Sequence, residues 1–331
     1  MNRYLELLEQ FRRKRVVVLG DYLLDQYIIG NTSRVSREAP IVVIDYLETV
    51  HHPGGAANAA QNVAALGAGV SALGVVGVDG DGETLADLLA RRGVDCSGLV
   101  PASEAATSVK LRILAGEMNA QKQQVARVDR SHRLRGDGAA ASAVREALPA
   151  ALDGAGALLI SDYGMGLVPG PASALALERC RAAGIPVVVD SRFALMSYAG
   201  ATAATPNEVE TLEALGSKDE SLLTRDDLAR RLVESSGVSG FIVTRGSKGM
   251  LVLNPDGSRE LVDIVGSNAA TDVTGAGDTV AAVVALALAC GASLVEAARM
   301  ATYAAAVVVM KRGTATASPA ELQEVIRAHP V

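Results

Sequence analysis

Two kinds of segment alternate along most of the chain, and this alternation constrains the fold more than any other feature. Short apolar runs rich in β-branched residues are separated by longer Ala- and Leu-rich segments with helical periodicity. The runs predicted as buried parallel strands are 16–19, 71–76, 157–161, 186–190 and 240–244. The segments predicted as helices are 57–66, 83–92, 139–152, 172–183 and 226–235. The pattern indicates βαβ units and a doubly wound, mostly parallel α/β sheet.

Two strand-like segments, 40–46 and 107–128, break the alternation because no helical segment separates their strands. They predict a small β-sheet lid, built from about 30–50 and 105–130, beside the main sheet. The last third, from residue 275 to 328, is predicted to be mostly helical. The chain 1–331 shows no linker, low-complexity stretch or repeat, so we expect one domain with a lid.

Charge and composition exclude several classes of protein. The net charge of −6 and the 3% of aromatic residues argue against a nucleic-acid partner. The three cysteines, Cys96, Cys180 and Cys290, lack CxxC spacing, which argues against a disulfide framework or a zinc site. The most apolar run, 280–290, is too short to span a bilayer, and the start of the chain does not resemble a signal peptide. We therefore expect a soluble cytoplasmic protein without a membrane partner.

The segment Thr271-Asp272-Val273-Thr274-Gly275-Ala276-Gly277-Asp278-Thr279, followed by an apolar helical segment, is the strongest candidate for a reactive site. A small-residue turn that opens a helix presents free backbone N–H groups, and the helix dipole attracts anions to them. Gly275 and Gly277 allow a phosphate to approach the backbone. Asp278 is suited to take a proton from a hydroxyl that attacks a phosphoryl group. The alternative interpretation is an ordinary helix N-terminus.

Two further polar segments are predicted near nucleotide phosphates. In 205–210, Asn207 and Glu210 are three residues apart and suit a hydrated Mg²⁺, although the same spacing is typical of a capping box. The Gly-rich turn 244–249, which contains Thr244, Gly246 and Gly249, suits a phosphate or ribose contact. An ordinary hairpin turn is the alternative there.

Other segments suit a polyhydroxylated, phosphorylated ligand. Gly54, Gly55 and Asn58 combine close backbone approach with an amide side chain, and Gly20-Asp21 ends the first predicted strand. In 107–114, Lys110 and Arg112 share one strand face, and Gln123 continues the two-residue period beyond it. Two cations on one face can hold a phosphate. A plain turn, a loop acid and a solvated edge strand are the respective alternatives.

In this order, the segments 54–58, 207–210 and 272–279 resemble the motifs of the PfkB/ribokinase family of carbohydrate kinases. The resemblance extends from about residue 16 to about residue 321. Within the family, the stretch Thr32-Ser33-Arg34-Val35-Ser36-Arg37-Glu38-Ala39-Pro40 resembles the subgroup that acts on D-glycero-β-D-manno-heptose 7-phosphate, here expected in a stand-alone form. The resemblance implies a Rossmann-like, ribokinase-like fold, ATP and Mg²⁺ as cofactors, and a homodimer formed through the lid.

The resemblance also implies roles for individual residues. Asp278 would be the catalytic base, with the anion hole formed by Gly275, Ala276 and Gly277. Asn207 and Glu210 would organise Mg²⁺, through water. The nucleotide would be contacted by Thr244, Gly246, Gly249 and Asp272. The sugar phosphate would be contacted by Asp21, Gly54, Gly55, Asn58, Lys110, Arg112, Gln123 and Asp162. Two positions depart from the family pattern, since Met165 and Arg192 stand where relatives usually carry Lys.

The predicted reaction is therefore ATP-dependent phosphorylation of the anomeric 1-hydroxyl of heptose 7-phosphate, giving the 1,7-bisphosphate. Another sugar or sugar-phosphate kinase of the same family is the first alternative. A sugar-binding regulator without catalysis is the second, although the presence of Asp278 and its Gly-rich turn argues against it. A nicotinamide-dependent dehydrogenase would suit the α/β pattern, but the GxGxxG fingerprint of that class is absent from the sequence.

Overall fold

The computed structural model describes residues 3–118, 120–225, 227–266 and 270–330. Its strands are β1 (Arg15–Gly20), β2 (Tyr22–Val35), β3 (Val42–Gly55), β4 (Gly69–Gly77), β5 (Asp95–Ala102), β6 (Ser108–Gly116), β7 (Gln123–Arg130), β8 (Ala157–Asp162), β9 (Val187–Ser191), β10 (Ala203–Ala204), β11 (Phe241–Thr244), β12 (Met250–Leu253) and β13 (Arg259–Val262). Its α-helices are α1 (Arg3–Phe11), α2 (Ala56–Ala65), α3 (Gly80–Ala90), α4 (Ala139–Leu152), α5 (Pro171–Ala183), α6 (Glu208–Ala214), α7 (Leu228–Ser236), α8 (Ala276–Ala289), α9 (Leu294–Val308) and α10 (Pro319–Ala328). None of these helices is long and apolar enough to cross a membrane.

Nine of the described strands form the main sheet, in the order β13-β12-β11-β10-β9-β8-β1-β4-β5. Strands β5 to β11 in this order pair in parallel, and β12 and β13 add an antiparallel edge. The five predicted strands all lie in the parallel part. Strand β1 lies between β4 and β8, so the order of the sheet reverses beside it. The carboxyl ends of strands at such a point are where open α/β sheets bind ligands.

Helices cover both faces of the main sheet, and β1 shows how its sequence supports this. Val16 and Val18 pack in one core cluster with α2, α8 and α9, whereas Val17 and Leu19 pack in the other with α4, α5 and α7. Because successive side chains of a strand point to opposite faces, a strand buried on both faces has a continuous apolar run. The same reasoning explains why these strands were predictable without alternation.

A second sheet, ordered β3-β2-β6-β7, forms the lid. Strands β2 and β3 pair antiparallel along their length, and β6 joins β2 in parallel. The lid is larger than the predicted 30–50 and 105–130. Strand β2 begins only two residues after the end of β1, and β3 ends directly before the first residue of α2. The buried start of β2, Tyr22–Leu24, looks in sequence like a continuation of the core strand.

Several other differences from the sequence prediction are small. The sequence analysis did not identify α1 or β5. Three predicted helices are observed as α2, α3 and α5 with shifts of at most a few residues, and α4 has the predicted bounds. The fifth, predicted over 226–235, is observed as α7, and its predicted first residue, Asp226, lies outside the described residues.

Candidate active site

Segments far apart in the sequence meet where the strand order reverses. The N-termini of α8 and α2 lie side by side there, next to the residues that follow β8 and the base of the lid. Asp278 is the third residue of α8 and is 3% exposed. Its side chain joins three of these segments, so it is the centre from which the site can be described.

Two neutral donors hold the Asp278 carboxylate. The Asn58 amide of α2 donates to Oδ2 at 2.7 Å, and the Tyr163 hydroxyl donates to Oδ1 at 2.9 Å. Burial raises the pKa of Asp278 to about 6, against the lowering effect of these two hydrogen bonds. A carboxylate with a pKa near neutrality and a fixed orientation is suited to act as a general base.

The α8 N-terminus has the geometry that the sequence predicted for an anion site. Gly275 caps the helix in the left-handed conformation, with φ of 76°, and a Cβ there would lie 2.5 Å from Asn58 Nδ2. A Cβ on Gly277 would meet no heavy atom within 4 Å, so the backbone beside it is open. Ala276 and Gly277 both line a neighbouring cleft. The three residues therefore present free backbone at a helix N-terminus, where an anion is stabilised.

A buried polar network supports Asn58 from behind. Gln61 and Asn62, on the next turn of α2, donate to Asn58 Oδ1 at 2.6 and 3.2 Å. Thr279 donates to Asn62 Oδ1 at 3.0 Å, which joins α8 to the same network. Because the amide oxygen is occupied by donors, the Asn58 amide nitrogen is oriented toward Asp278. Asn58, predicted as a sugar contact, is thus also a support for the candidate base.

Asp272 has a structural role in the loop that precedes α8. Its two oxygens accept hydrogen bonds from the backbone of Thr274 and Gly313, both at 2.9 Å. Burial alone would raise the pKa of Asp272, but these hydrogen bonds bring that pKa below its usual value. Both carboxylate oxygens hold the loop, and the predicted nucleotide contact of Asp272 stays a prediction.

A cleft of about 240 Å³ opens beside the α8 N-terminus and contains the Gly-rich turn that the sequence singled out. Thr244, Gly246 and Gly249 line one side, and the opposite wall is apolar, including Val265, Val280, Ala305 and Val309. The turn joins the antiparallel strands β11 and β12, so it is also a hairpin. A flat apolar ligand with a phosphate tail would place the tail toward Gly277.

Asn207 and Glu210 form the capping box that was the alternative interpretation. Asn207 Oδ1 accepts from the Glu210 N–H, and Glu210 Oε2 accepts from the Asn207 N–H, both at 2.9 Å. Burial raises the pKa of Glu210, and burial together with the nearby Asp278 and Glu210 raises that of Asp190. Within the described ranges, no group of three or more His, Cys, Asp or Glu is placed to hold a metal directly. A hydrated Mg²⁺ fits this chemistry, because it needs few carboxylates and keeps several waters.

The two predicted lid cations lie beside the candidate base, in different environments. Arg112 forms a 2.6 Å ion pair with Asp25, and both side chains are largely buried. Lys110 Nζ lies 4.6 Å from the centre of the Tyr163 ring, whose hydroxyl contacts Asp278. Burial lowers the pKa of Lys110. Among the described residues, no carboxylate lies within ion-pair distance of this half-buried ammonium.

Asp25 is the functional candidate that the sequence analysis did not select. It is 4% exposed and lies on β2, opposite His52 of β3 and next to Lys110 of β6. A Cβ on Gly54 would meet Leu23 Cδ1 and would lie 2.9 Å from Asp25 Oδ2, so the glycine leaves room for both side chains. The sequence signal was an acid that directly follows the apolar residues Tyr22–Leu24.

Gly55 and Gln123 lie at the ends of lid strands. Gly55 precedes α2 with φ of 57°, and a Cβ there would lie 2.8 Å from the Asp21 carbonyl oxygen, so the residue serves the turn into the helix. Gln123 pairs with Ala115, whereas Lys110 pairs with Asp129 near the other end of β6. Gln123 therefore lies away from Lys110 along the lid, and its predicted substrate contact stays a prediction.

Asp21 and Asp162 hold the loop after β8, and their predicted roles as sugar contacts stay predictions. Asp21 Oδ2 accepts from the N–H groups of Tyr163 and Met165, both at 2.9 Å. Asp162, 1% exposed, accepts from the Gly164 N–H through Oδ1 and from the Ser191 and Tyr198 hydroxyls through Oδ2. The other oxygen of Asp21 is buried without a partner in the described structure, and burial raises the pKa of Asp21 to about 7.

Comparisons with known proteins identify the family of this chain. A family model described as "pfkB family carbohydrate kinase" matches residues 13–321. The chain is 39% identical over 324 residues to the "Bifunctional protein HldE" of Erwinia tasmaniensis, which covers 98% of this chain and 65% of that protein. The HldE protein of Pectobacterium atrosepticum is also 39% identical, over 323 residues. The chain thus spans about two thirds of the length of these relatives.

Solved structures with the same fold are more distant in sequence. Arabidopsis thaliana ribokinase complexed with ribose and ATP superposes with a TM-score of 0.73 at 20% identity, covering 95% of this chain and 99% of that one. Escherichia coli phosphofructokinase-2 in complex with potassium also gives 0.73, at 22% identity, with coverage of 95% and 98%. These likenesses establish the ribokinase-like fold that the sequence analysis predicted.

Proposed function

Because the chain belongs to the PfkB family of carbohydrate kinases, which transfer a phosphoryl group to an alcohol of a sugar, we propose that it uses ATP to phosphorylate the anomeric hydroxyl of a heptose 7-phosphate. The product would be the 1,7-bisphosphate. The resemblance of 32–40 to the heptose 7-phosphate subgroup supports the choice of sugar. A phosphorylated acceptor also suits the lid, since its inner face carries cations.

The observation that carries the proposal is the half-buried ammonium of Lys110 beside the candidate base. A partly desolvated cation without a carboxylate partner stabilises an incoming anion, and here it lies over the ring of Tyr163, whose hydroxyl donates to Asp278. The charge of Arg112 is already neutralised by Asp25, so its guanidinium would orient a bound phosphate more than attract it. A sugar phosphate held at Lys110 would have its polyol chain next to Asp25 and Asp278.

The proposed chemistry assigns a role to each group of the candidate site. Asp278 would accept the proton of the attacking hydroxyl. That hydroxyl would attack, in line, a γ-phosphoryl group lying at the backbone of 275–277. The nucleotide base would occupy the apolar cleft between Val265 and Ala305. Asn207 and Glu210 would hold Mg²⁺ through water, and the ion would neutralise charge on the nucleotide phosphates. The protein supplies orientation and electrostatic stabilisation, which dominate phosphoryl transfer.

A panel of acceptors tests this proposal through the rate of ADP release. We expect turnover with heptose 7-phosphate and much less with the neutral sugars ribose and fructose. Turnover with a neutral sugar alone would assign the chain to another kinase of the family. The absence of ADP with every acceptor would instead support a sugar-binding regulator.

A matched pair of lid variants tests the phosphate contact. Lys110→Met keeps the length of the side chain but removes the charge, and should raise KM for the phosphorylated sugar by about tenfold to a hundredfold, at roughly 1.4 kcal/mol per tenfold. Lys122→Met is the control, because Lys122 binds Asn31 and the β6–β7 turn, away from Asp278. Equal effects of the two substitutions, or an equal effect on a neutral acceptor, would refute the phosphate contact at Lys110.

A further inference from the structure

The support of Tyr163 is unusually complete for a residue in a loop. The backbone N–H groups of Tyr163 and Met165 both donate to Asp21 Oδ2, and the Gly164 N–H donates to Asp162 Oδ1. Three successive residues of one turn are thereby tied to two buried carboxylates at the ends of β1 and β8. Since the Ser191 and Tyr198 hydroxyls donate to Asp162, the carboxylate that binds the backbone of this turn is itself fixed.

The side chain of Tyr163 points from this turn to the candidate base. Its hydroxyl donates to Asp278 Oδ1 at 2.9 Å, while Asn58 occupies Oδ2. Burial raises the pKa of the Tyr163 phenol well above its ordinary value, so the phenol remains a donor. The face of its ring lies under Lys110 Nζ.

On the premise that Asp278 is the base of the proposed kinase reaction, we propose that Tyr163 is its positioning residue. The phenol donates to one carboxylate oxygen, which fixes the rotation of the carboxylate about its bond and stabilises the ionised form that takes the proton. Asp21 and Asp162 act one step further away, by fixing the turn that carries Tyr163. Through this turn, Asp21 supports the base as well as lying at the end of β1.

The other groups around Asp278 also bear on its ionisation, and none of them is changed by the substitution Tyr163→Phe. Asp25 of β2 raises the pKa of Asp278, and Lys110 of β6 lowers it. Asp190, near the end of β9, also interacts with Asp278. Asn58 of α2 donates a hydrogen bond to Asp278. A change in the pH profile on loss of the phenol therefore reports the Tyr163 hydrogen bond only if these four neighbours are kept.

The test compares the pH dependence of turnover in Tyr163→Phe and the wild type, with the same acceptor at saturation. A hydrogen bond to the ionised form lowers the pKa of the base, so its loss should move the acidic limb of kcat to higher pH by about one unit, with KM for the sugar nearly unchanged. Tyr198→Phe is the matched control, because it also loses a buried phenol, which donates to Asp162 instead. A Tyr163→Phe profile that coincides with the wild type, or that Tyr198→Phe reproduces, would overturn the proposal.

Two additional measurements keep the proposal separable and testable. If Asp278→Asn retains turnover, the assignment of Asp278 as the base is wrong. If Asp278→Asn is inactive and Tyr163→Phe keeps the wild-type pH profile, only the positioning role of Tyr163 fails. Should Tyr163→Phe not fold, the wild-type chain can be made with 3-fluorotyrosine, a more acidic and stronger donor. The acidic limb should then move to lower pH, and it should do so equally in the Tyr198→Phe background; an unmoved limb would contradict the role of Tyr163.

Discussion

At the scale of single residues, the candidate base is defined by its neighbours more than by its own identity. Many helices carry an Asp in the first turn, where it stabilises the free N–H groups. Asp278 differs because Asn58 and Tyr163 each donate to one of its oxygens and because it is buried. These contacts convert a common helix residue into a carboxylate suited to proton transfer.

Replacing this carboxylate by an isosteric amide tests its role directly. Asp278→Asn should reduce kcat by about 10³-fold, within the range for loss of a general base, while binding of the sugar phosphate changes little. Turnover is measured by ADP release, and binding by calorimetry with the acceptor alone. A rate within a few-fold of the wild type would exclude Asp278 as the base.

The pH dependence of the wild-type enzyme follows from the same residue. The pKa of Asp278 is raised to about 6, and only the ionised form accepts a proton. Activity should therefore be constant above about pH 7 and fall roughly tenfold per unit below pH 6. Because a sugar phosphate also titrates near pH 6, the profile is measured as kcat at saturating acceptor. A profile that stays flat down to pH 4.5 would contradict the raised pKa.

At the scale of elements, α8 shows how a helix end becomes a binding site. Left-handed glycines flank both ends of the helix, Gly275 with φ of 76° and Gly291 with φ of 78°. At Gly275 an added Cβ would meet the Asn58 amide at 2.5 Å, whereas at Gly291 it would meet nothing within 4 Å. The two positions share a backbone conformation but not an environment.

This difference predicts two distinct outcomes for the same substitution. Gly275→Ala and Gly291→Ala should each lower the stability by about 1–2 kcal/mol through backbone strain. Only Gly275→Ala should also reduce kcat, by tenfold or more, because it displaces the Asn58 amide from Asp278. Thermal unfolding measures the first effect and ADP release the second. Equal activity of both variants would show that the Asn58 contact is not needed.

At the scale of the whole molecule, the lid presents an apolar outer tip. The exposed apolar side chains there are Val35, Ile41, Val42, Tyr46 and Leu47. Exposed apolar side chains of this kind are candidates for a protein–protein interface. The homodimer through the lid that the sequence analysis predicted remains a prediction, and this surface is where it would form.

A charge placed in that surface tests the predicted dimer. Ile41→Asp should shift the molar mass measured by light scattering from dimer to monomer. Val273→Asp is a matched control, because Val273 is equally exposed but lies outside the lid. A wild-type chain that is monomeric at micromolar concentration would refute the dimer.

The sequence by itself determined the fold class, most elements of the main sheet and the residues of the α8 N-terminus. Those features depend on local patterns: continuous apolar runs for strands buried on both faces, and small residues before a helix. It also identified Lys110 and Arg112 as a pair, because strand periodicity places them on one face.

Only the tertiary structure decided which partners reach each buried acid. Asp21, Asp25 and Asp162 are all buried acids near strand ends, and the sequence analysis chose Asp21 and Asp162 as sugar contacts. The fold uses those two to hold the turn at Tyr163 and brings Asp25 to the lid cations. The physical reason is that the role of a carboxylate depends on which donors reach it, and those donors come from segments far away in the chain.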